Sequence, residues 1–65
     1  MKFVKVMAGW YRAEDKNVEI TNRYGCWEIH AFKASGKKLY IGHAYSLKEA
    51  KVIAGNINPI VFTLN

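Results

Sequence analysis

The fold is decided by one short alternating stretch, Cys26-Trp27-Glu28-Ile29-His30-Ala31-Phe32. Trp27, Ile29 and Ala31 occupy every second position of this stretch. Because successive side chains of a β-strand point to opposite faces, the stretch predicts a strand with one covered face and one open face. Antiparallel sheets commonly leave one face to solvent, so we expect an antiparallel sheet around this strand.

Further strands are predicted on both sides of this stretch. Residues 18–21 alternate in the same way, residues 39–45 predict another strand, and residues 2–12 predict one long strand that is bulged near Gly9. Polar and glycine-containing segments at 14–17, 23–25 and 34–37 predict the turns between the strands. The order of strands and turns along the chain is that of a β-meander.

The periodicity changes after residue 45. Ser46 and Glu49 have the spacing of a capping box, in which the serine hydroxyl accepts a backbone N–H at the start of a helix. An apolar stripe follows at helical spacing, formed by Leu47, Ala50, Ile53, Ala54 and Ile57. Pro59 ends the helix, and residues 60–64 predict a short strand or an apolar arm. The predicted fold class is α+β: a three- to four-stranded antiparallel β-meander packed on one C-terminal α-helix, with a short C-terminal strand or arm.

Length and composition narrow the classes of function. The chain has 65 residues, a net charge of +5 and a hydrophobic fraction of 51%, which predicts a single domain over residues 1–65 with a thin core. This size excludes a multidomain enzyme, a Rossmann-type fold and a deep substrate cavity. The lone cysteine, Cys26, has no partner for an internal disulfide, and neither a signal peptide nor a membrane span is evident. We therefore expect a cytoplasmic protein that does not contact membranes.

The residues that could carry catalysis or bind a metal are few and scattered. Cys26 and His30 share a strand face but are four residues apart, roughly 13 Å along a strand. His43 could approach His30 from a neighbouring strand, but two histidines and one cysteine leave a zinc site incomplete. The five glycines match neither common phosphate-binding motif. We expect no enzymatic activity, no catalytic residues, no metal and no cofactor.

Aromatic and basic side chains form the candidate binding surface. The open face should carry Glu28, His30 and Phe32 from one strand and Lys38 and Tyr40 from the next. Lysines cluster around the predicted hairpin at 34–37, and Arg12, Lys16 and Arg23 could join them from neighbouring turns. The candidate residues for binding nucleic acid or another partner are Asn22, Arg23, Tyr24, His30, Phe32, Lys33, Lys37, Lys38 and Tyr40.

The stretch from Gly25 to Ile57 carries a family resemblance, which rests on three motifs in and beside it. They are Tyr24-Gly25-Cys26-Trp27, Lys38-Leu39-Tyr40-Ile41-Gly42 and Ser46-Leu47-Lys48-Glu49-Ala50. This part of the chain resembles the AP2/ERF DNA-binding domain and the related arm-binding domain at the N-terminus of phage and transposon integrases. The resemblance implies three antiparallel strands that lie in the major groove of DNA, with a helix behind them.

The resemblance also implies roles for individual residues. Trp27 matches the core tryptophan of the family, and the positions that match groove-facing sites are Asn22, Tyr24, His30, Phe32, Lys38 and Tyr40. Ile20, Asn22 and Phe32 stand where the family has base-reading arginines. Since arginine makes the commonest specific contact to guanine, any DNA binding should have little sequence preference.

Two functions remain open from the sequence. The first is a small basic DNA-binding or DNA-associated accessory protein, encoded by a phage or mobile element, that uses the open sheet face. The alternative is a protein-interaction module, an inhibitor or adaptor, that uses the same aromatic face or an exposed strand edge. In either case we expect a monomer or a weak homodimer.

Overall fold

In a computed structural model that describes all residues 1–65, five antiparallel strands form one sheet. The strands are β1 (Phe3–Met7), β2 (Trp10–Ala13), β3 (Val18–Arg23), β4 (Cys26–Phe32) and β5 (Lys38–Ala44). They lie side by side in chain order, so each is joined to the next by a turn or short loop. The helix α1 (Leu47–Gly55) and a 3₁₀ turn (Pro59–Thr63) follow. The predicted α+β class, an antiparallel meander with one C-terminal helix, is confirmed.

The N-terminal segment corrects the prediction of one long strand. The chain reverses at Ala8 and Gly9, so that Met7 pairs with Trp10 and residues 3–13 form a hairpin. Gly9 has a φ of +77°, a conformation that glycine adopts without the steric cost of a Cβ. Both alternating rows of this segment are partly apolar, so the pattern could not distinguish a strand from a tight hairpin. The sheet therefore has five strands instead of three or four.

The C-terminal tail forms a 3₁₀ turn. Of the two predictions for residues 60–64, the short strand is therefore wrong, and the apolar arm describes the tail better. Asn58 Oδ1 accepts a hydrogen bond from the backbone N–H of Ile60 at 3.1 Å, and Pro59 begins the turn. Phe62 packs against the core, and the backbone N–H of Ala34 donates to the carbonyl of Leu64 at 2.7 Å. These contacts hold the tail beside the loop between β4 and β5.

The core lies between one face of the sheet and α1. Val18, Ile20 and Ile29 are the largest fully buried side chains, and Ala50 and Ala54 of the helix pack against them. The half-buried ring of Trp27 joins this core and contacts Tyr11 edge to face, with 5.9 Å between ring centroids. The core position of Trp27 is confirmed, and four of the five predicted stripe residues lie in the helix and pack on the core. The fifth, Ile57, also packs against the core but lies beyond the end of the helix.

The start of the helix also matches its prediction. Ser46 is the N-cap, and its Oγ accepts a hydrogen bond from the backbone N–H of Glu49 at 3.1 Å. The helix is nine residues long, and no helix of this chain is long and apolar enough to span a bilayer. The short helix packs against β3, β4 and β5, so the opposite side of these strands has no covering element.

Candidate functional site

The uncovered side of the sheet forms a continuous surface, which we call the open face. Strand register places its central row across all five strands, from Val4 through Arg12, Glu19 and His30 to Tyr40. By the same register, the remaining members are Met7, Trp10, Thr21, Arg23, Cys26, Glu28, Phe32, Lys38 and His43. The predicted placement of Glu28, His30, Phe32, Lys38 and Tyr40 on the face away from the helix is thereby confirmed.

Glu19 lies at the centre of the open face and is nevertheless only 3% exposed. Its Oε1 accepts a hydrogen bond from Trp10 Nε1 at 3.0 Å and lies 3.3 Å from Arg12 Nη2. Its Oε2 lies 2.7 Å from Lys38 Nζ. Strands β2 and β5 thus both send side chains to one carboxylate on β3, and we call these four residues the Glu19 cluster.

The pKa of Glu19 is held below its ordinary value. Burial alone would raise this pKa, but hydrogen bonds from Lys38, Arg12 and Trp10, together with the charge of Lys38, outweigh that effect. The side chain is therefore an anion at neutral pH. Because two cations surround one carboxylate, the Glu19 cluster keeps a net positive charge.

The low pKa of Glu19 predicts a loss of stability in acid. In the unfolded chain the group titrates near its ordinary value of 4.5. A lowered folded-state pKa stabilises the fold fully above that pH, and the stabilisation is lost as the pH falls through the folded-state pKa. Urea midpoints measured from about pH 7 to pH 3 should show this decline, and Glu19→Gln should flatten it. An acid decline as steep in Glu19→Gln as in the unchanged protein would contradict the assignment.

A row of aromatic side chains follows the β4–β5 side of the open face. We call it the aromatic strip, and its members are Phe32, His30, Tyr40, His43 and Tyr45, the last just beyond β5. His30 and Tyr40 meet edge to face at 5.6 Å between centroids, as do His43 and Tyr45 at 5.7 Å. The Tyr40 hydroxyl and His43 Nδ1 are 3.0 Å apart and link the two pairs. Tyr40 is 53% exposed and Tyr45 is 78% exposed, so the strip presents rings to solvent.

Lysines gather at one end of the sheet, beside the start of the aromatic strip. The turn between β2 and β3 and the hairpin between β4 and β5 meet there, because the backbone N–H of Phe32 donates to the carbonyl of Asn17 at 2.8 Å. This basic end consists of Lys16, Lys33, Lys37 and Lys38, with Glu14 and Asp15 in the same turn as Lys16. Lys38 also connects it to the strip, since its Nζ lies 5.9 Å from the centre of the Phe32 ring.

Not all predicted site residues come together. His30, Phe32, Lys38 and Tyr40 share the open face, and Lys33 and Lys37 lie at its basic end. Arg23 and Tyr24 lie at the opposite end, where Arg23 Nε is 3.3 Å from Glu28 Oε1 and Tyr24 is fully exposed in a turn.

Asn22 corrects the prediction that it faces a partner together with His30. It pairs with Trp27 in the register and follows Val18 and Ile20 on the side of the sheet that faces the helix. Its Oδ1 accepts a hydrogen bond from the backbone N–H of Gly25 at 3.2 Å. Asn22 therefore lies on the helix side of β3, and its side chain stabilises the turn that follows this strand.

Sequence reasoning missed Trp10, Glu19, His43 and Tyr45 as members of the site. Trp10 was assigned to a single long strand, which hid its position opposite Thr21. In the sequence, Glu19 is a polar residue between two apolar residues, as is common in an alternating strand. Its partners come from other strands, so its own strand gives no signal of them. The aromatic pairing of His43 with Tyr45 was open to prediction from their spacing at the end of one strand.

The other groups that could bind a ligand do not form a site. No three His, Cys, Asp or Glu residues come close enough to hold a metal ion together, and Cys26 is a free, half-buried thiol. The one pocket in the structure is an open depression lined by Met1, Lys2, Glu14 and Asp15. The open face is therefore the candidate binding surface of this chain.

Comparisons with known proteins identified no relative of this chain. A scan of family models and searches of curated proteins and of solved structures found no match to this chain. The resemblance to the AP2/ERF and integrase arm-binding domains stays a prediction from the sequence motifs.

Proposed function

We propose that this chain is a small DNA-binding or DNA-associated accessory protein, of the kind that phages and mobile elements carry, and that it binds through the open face. The observation that supports the proposal most is the Glu19 cluster. Two cations neutralise the one deeply buried carboxylate of this face, and aromatic rings and lysines surround it. An acidic partner can therefore approach the face without meeting an unpaired buried charge.

The charge of the chain favours a polyanionic partner. The net charge is +5, and the exposed lysines of the basic end can neutralise phosphates and release the counterions condensed on DNA. Such contacts position a protein on DNA without reading its sequence.

Low sequence specificity follows from the small number of arginines. The chain has only two, Arg12 and Arg23, and both are paired with carboxylates at 3.3 Å, Glu19 and Glu28 respectively. Each of these contacts uses one of the five N–H donors of a guanidinium, but two arginines are too few to read a run of base pairs through paired hydrogen bonds to guanine edges. The proposed binding therefore depends on phosphates and ring surfaces more than on base edges.

The test is binding to a mixed-sequence duplex of about 20 base pairs between about 50 and 200 mM salt. We expect affinity to fall steeply with salt, and replacing Lys33 and Lys37 with glutamine should reduce the slope of log K against log salt by about 2. The matched control replaces Lys5 and Lys48 with glutamine, which removes the same charge from the helix side of the sheet and from the helix. Its slope should stay closer to that of the unchanged protein. Absence of binding at low salt both to this duplex and to its separated strands, or an equal loss in the control, would overturn the proposal.

A second candidate function is supported by the edge strand β1. This strand pairs only with β2, and its side chains Val4, Val6 and Met7 are exposed. An exposed apolar edge can accept an extended segment of another protein as an additional strand. A pull-down from nuclease-treated lysate distinguishes the candidates, because a protein partner of this edge would be retained after the nucleic acid is removed.

A further inference from the structure

We propose that the form of DNA bound by this chain is single-stranded and that its bases stack on the aromatic strip. The inference rests on the proposed function, because it names the class of DNA that the open face takes. It is carried by the position of the rings, which project from an uncovered sheet face beside a cluster of lysines.

Exposed rings favour a single strand over a duplex. In a duplex the faces of the bases are covered by their neighbours, and only the base edges and the phosphates are accessible. In a single strand each base can place its face on an aromatic side chain, and this contact tolerates any sequence because every base has a π-face. Rings that are more than half exposed, such as those of Tyr40 and Tyr45, therefore offer binding energy that a duplex cannot use.

The geometry of the ring pairs indicates which rings receive bases. The planes of His30 and Tyr40 meet at 68°, and those of His43 and Tyr45 meet at 82°. Two rings that are nearly perpendicular cannot both stack on one base. Tyr40 is exposed whereas His30 is half-buried, and Tyr45 is 78% exposed at the end of the strip. The two tyrosines are therefore the stacking surfaces, and the histidines support them.

The path of the strand follows from the basic end. The aromatic strip begins at Phe32, opposite Lys38 in the register, and continues along β5 to Tyr45. A single strand that lies along β5 would place phosphates near Lys37 and Lys38 and bases over Tyr40 and Tyr45. This combination of a basic groove or end with a row of aromatic rings is typical of proteins that bind single strands without sequence preference.

The experiment compares a labelled single strand of about 12 nucleotides with the duplex of the same sequence by fluorescence anisotropy at one low salt concentration. We expect the single strand to bind about tenfold more tightly. Tyr40→Leu and Tyr45→Leu should each lower single-strand affinity about tenfold, equivalent to about 1.4 kcal/mol, and change duplex affinity less than about twofold.

Two control variants separate stacking from other effects. Tyr40→Phe keeps the ring but loses the contact with His43 Nδ1, so single-strand affinity should change less than about twofold. Val52→Ala removes an exposed apolar side chain from the helix, away from the strip, and should also have little effect. Circular dichroism and urea midpoints verify that each variant is folded.

The outcomes distinguish this inference from the function on which it rests. Duplex binding that is equal to or tighter than single-strand binding overturns the single-strand inference and leaves the DNA-binding proposal in place. No binding to either probe overturns the DNA-binding proposal itself. Losses in Tyr40→Phe or Val52→Ala as large as in Tyr40→Leu would show that the strip is not the stacking surface.

Discussion

Ile29→Ala is expected to lower the free energy of unfolding by about 3 to 4 kcal/mol and to leave much of the protein unfolded at room temperature. Ile29 is fully buried at the centre of β4, and only Ile20 and Val18 are comparably large and buried. Replacing it removes three methyl or methylene carbons and leaves a cavity between the sheet and the helix. A domain of this size seldom has more than about 3 to 5 kcal/mol of stability in total, so this loss approaches all of it.

Urea denaturation followed by far-UV circular dichroism measures this effect. Ile29→Val should cost only about 1 kcal/mol, since it removes a single methylene. Ile60→Ala is the matched control, because Ile60 is 61% exposed in the C-terminal turn and its replacement should cost less than about 0.5 kcal/mol. Similar losses at positions 29 and 60 would contradict the assignment of the core.

Glu19→Gln is expected to change stability and DNA binding in opposite directions. The substitution keeps an acceptor for Trp10 Nε1 but removes the charge that pairs with Arg12 and Lys38. We expect the free energy of unfolding to fall by about 2 kcal/mol, less than the 3 to 5 typical of a fully buried pair, because the two cations are 35% and 53% exposed. The freed cations should meanwhile attract phosphate more strongly, so DNA affinity should rise, most clearly at low salt.

Glu28→Gln is the control for this prediction. It removes the same charge from the same face, but the Arg23–Glu28 pair is more exposed, so stability should fall by less than about 1 kcal/mol. Urea midpoints and titrations of DNA binding for the two variants provide the comparison. If Glu19→Gln lowered DNA affinity in folded protein, the Glu19 cluster would have to position its cations for binding, and the argument from net charge would be wrong.

Which side chains of the strands beside the helix face the core could be predicted, because the alternation within these strands agrees with their packing against the helix. Trp27, Ile29 and Ala31 alternate strictly, and the stripe of the helix has the matching length and spacing. A shift of one residue would turn the whole apolar set toward solvent, so the pattern leaves little freedom in register. His30, Phe32, Lys38 and Tyr40 were therefore assigned to the open face correctly.

The N-terminal hairpin could not be predicted by the same method. Residues 3–13 are apolar on both alternating rows, and β1 lies beyond the region that the helix covers. Only Phe3, Tyr11 and Ala13 of this segment pack on the core, while other apolar residues of both rows are exposed, so alternation does not say where the chain reverses. The position of the turn at Gly9 depends on the pairing of β2 with β3. This pairing is a contact between strands, and the alternation of residues 3–13 does not reveal it.

By itself the sequence determined the class of fold, the covered face of β4, the start of the helix and the excess of positive charge. These features depend on neighbours within a few residues or on composition alone. Only the tertiary structure decided that Glu19 is buried beneath Arg12 and Lys38 and that Asn22 belongs to a turn. These features depend on which strands become neighbours, and a cross-strand contact leaves no periodic trace in the sequence of any one strand.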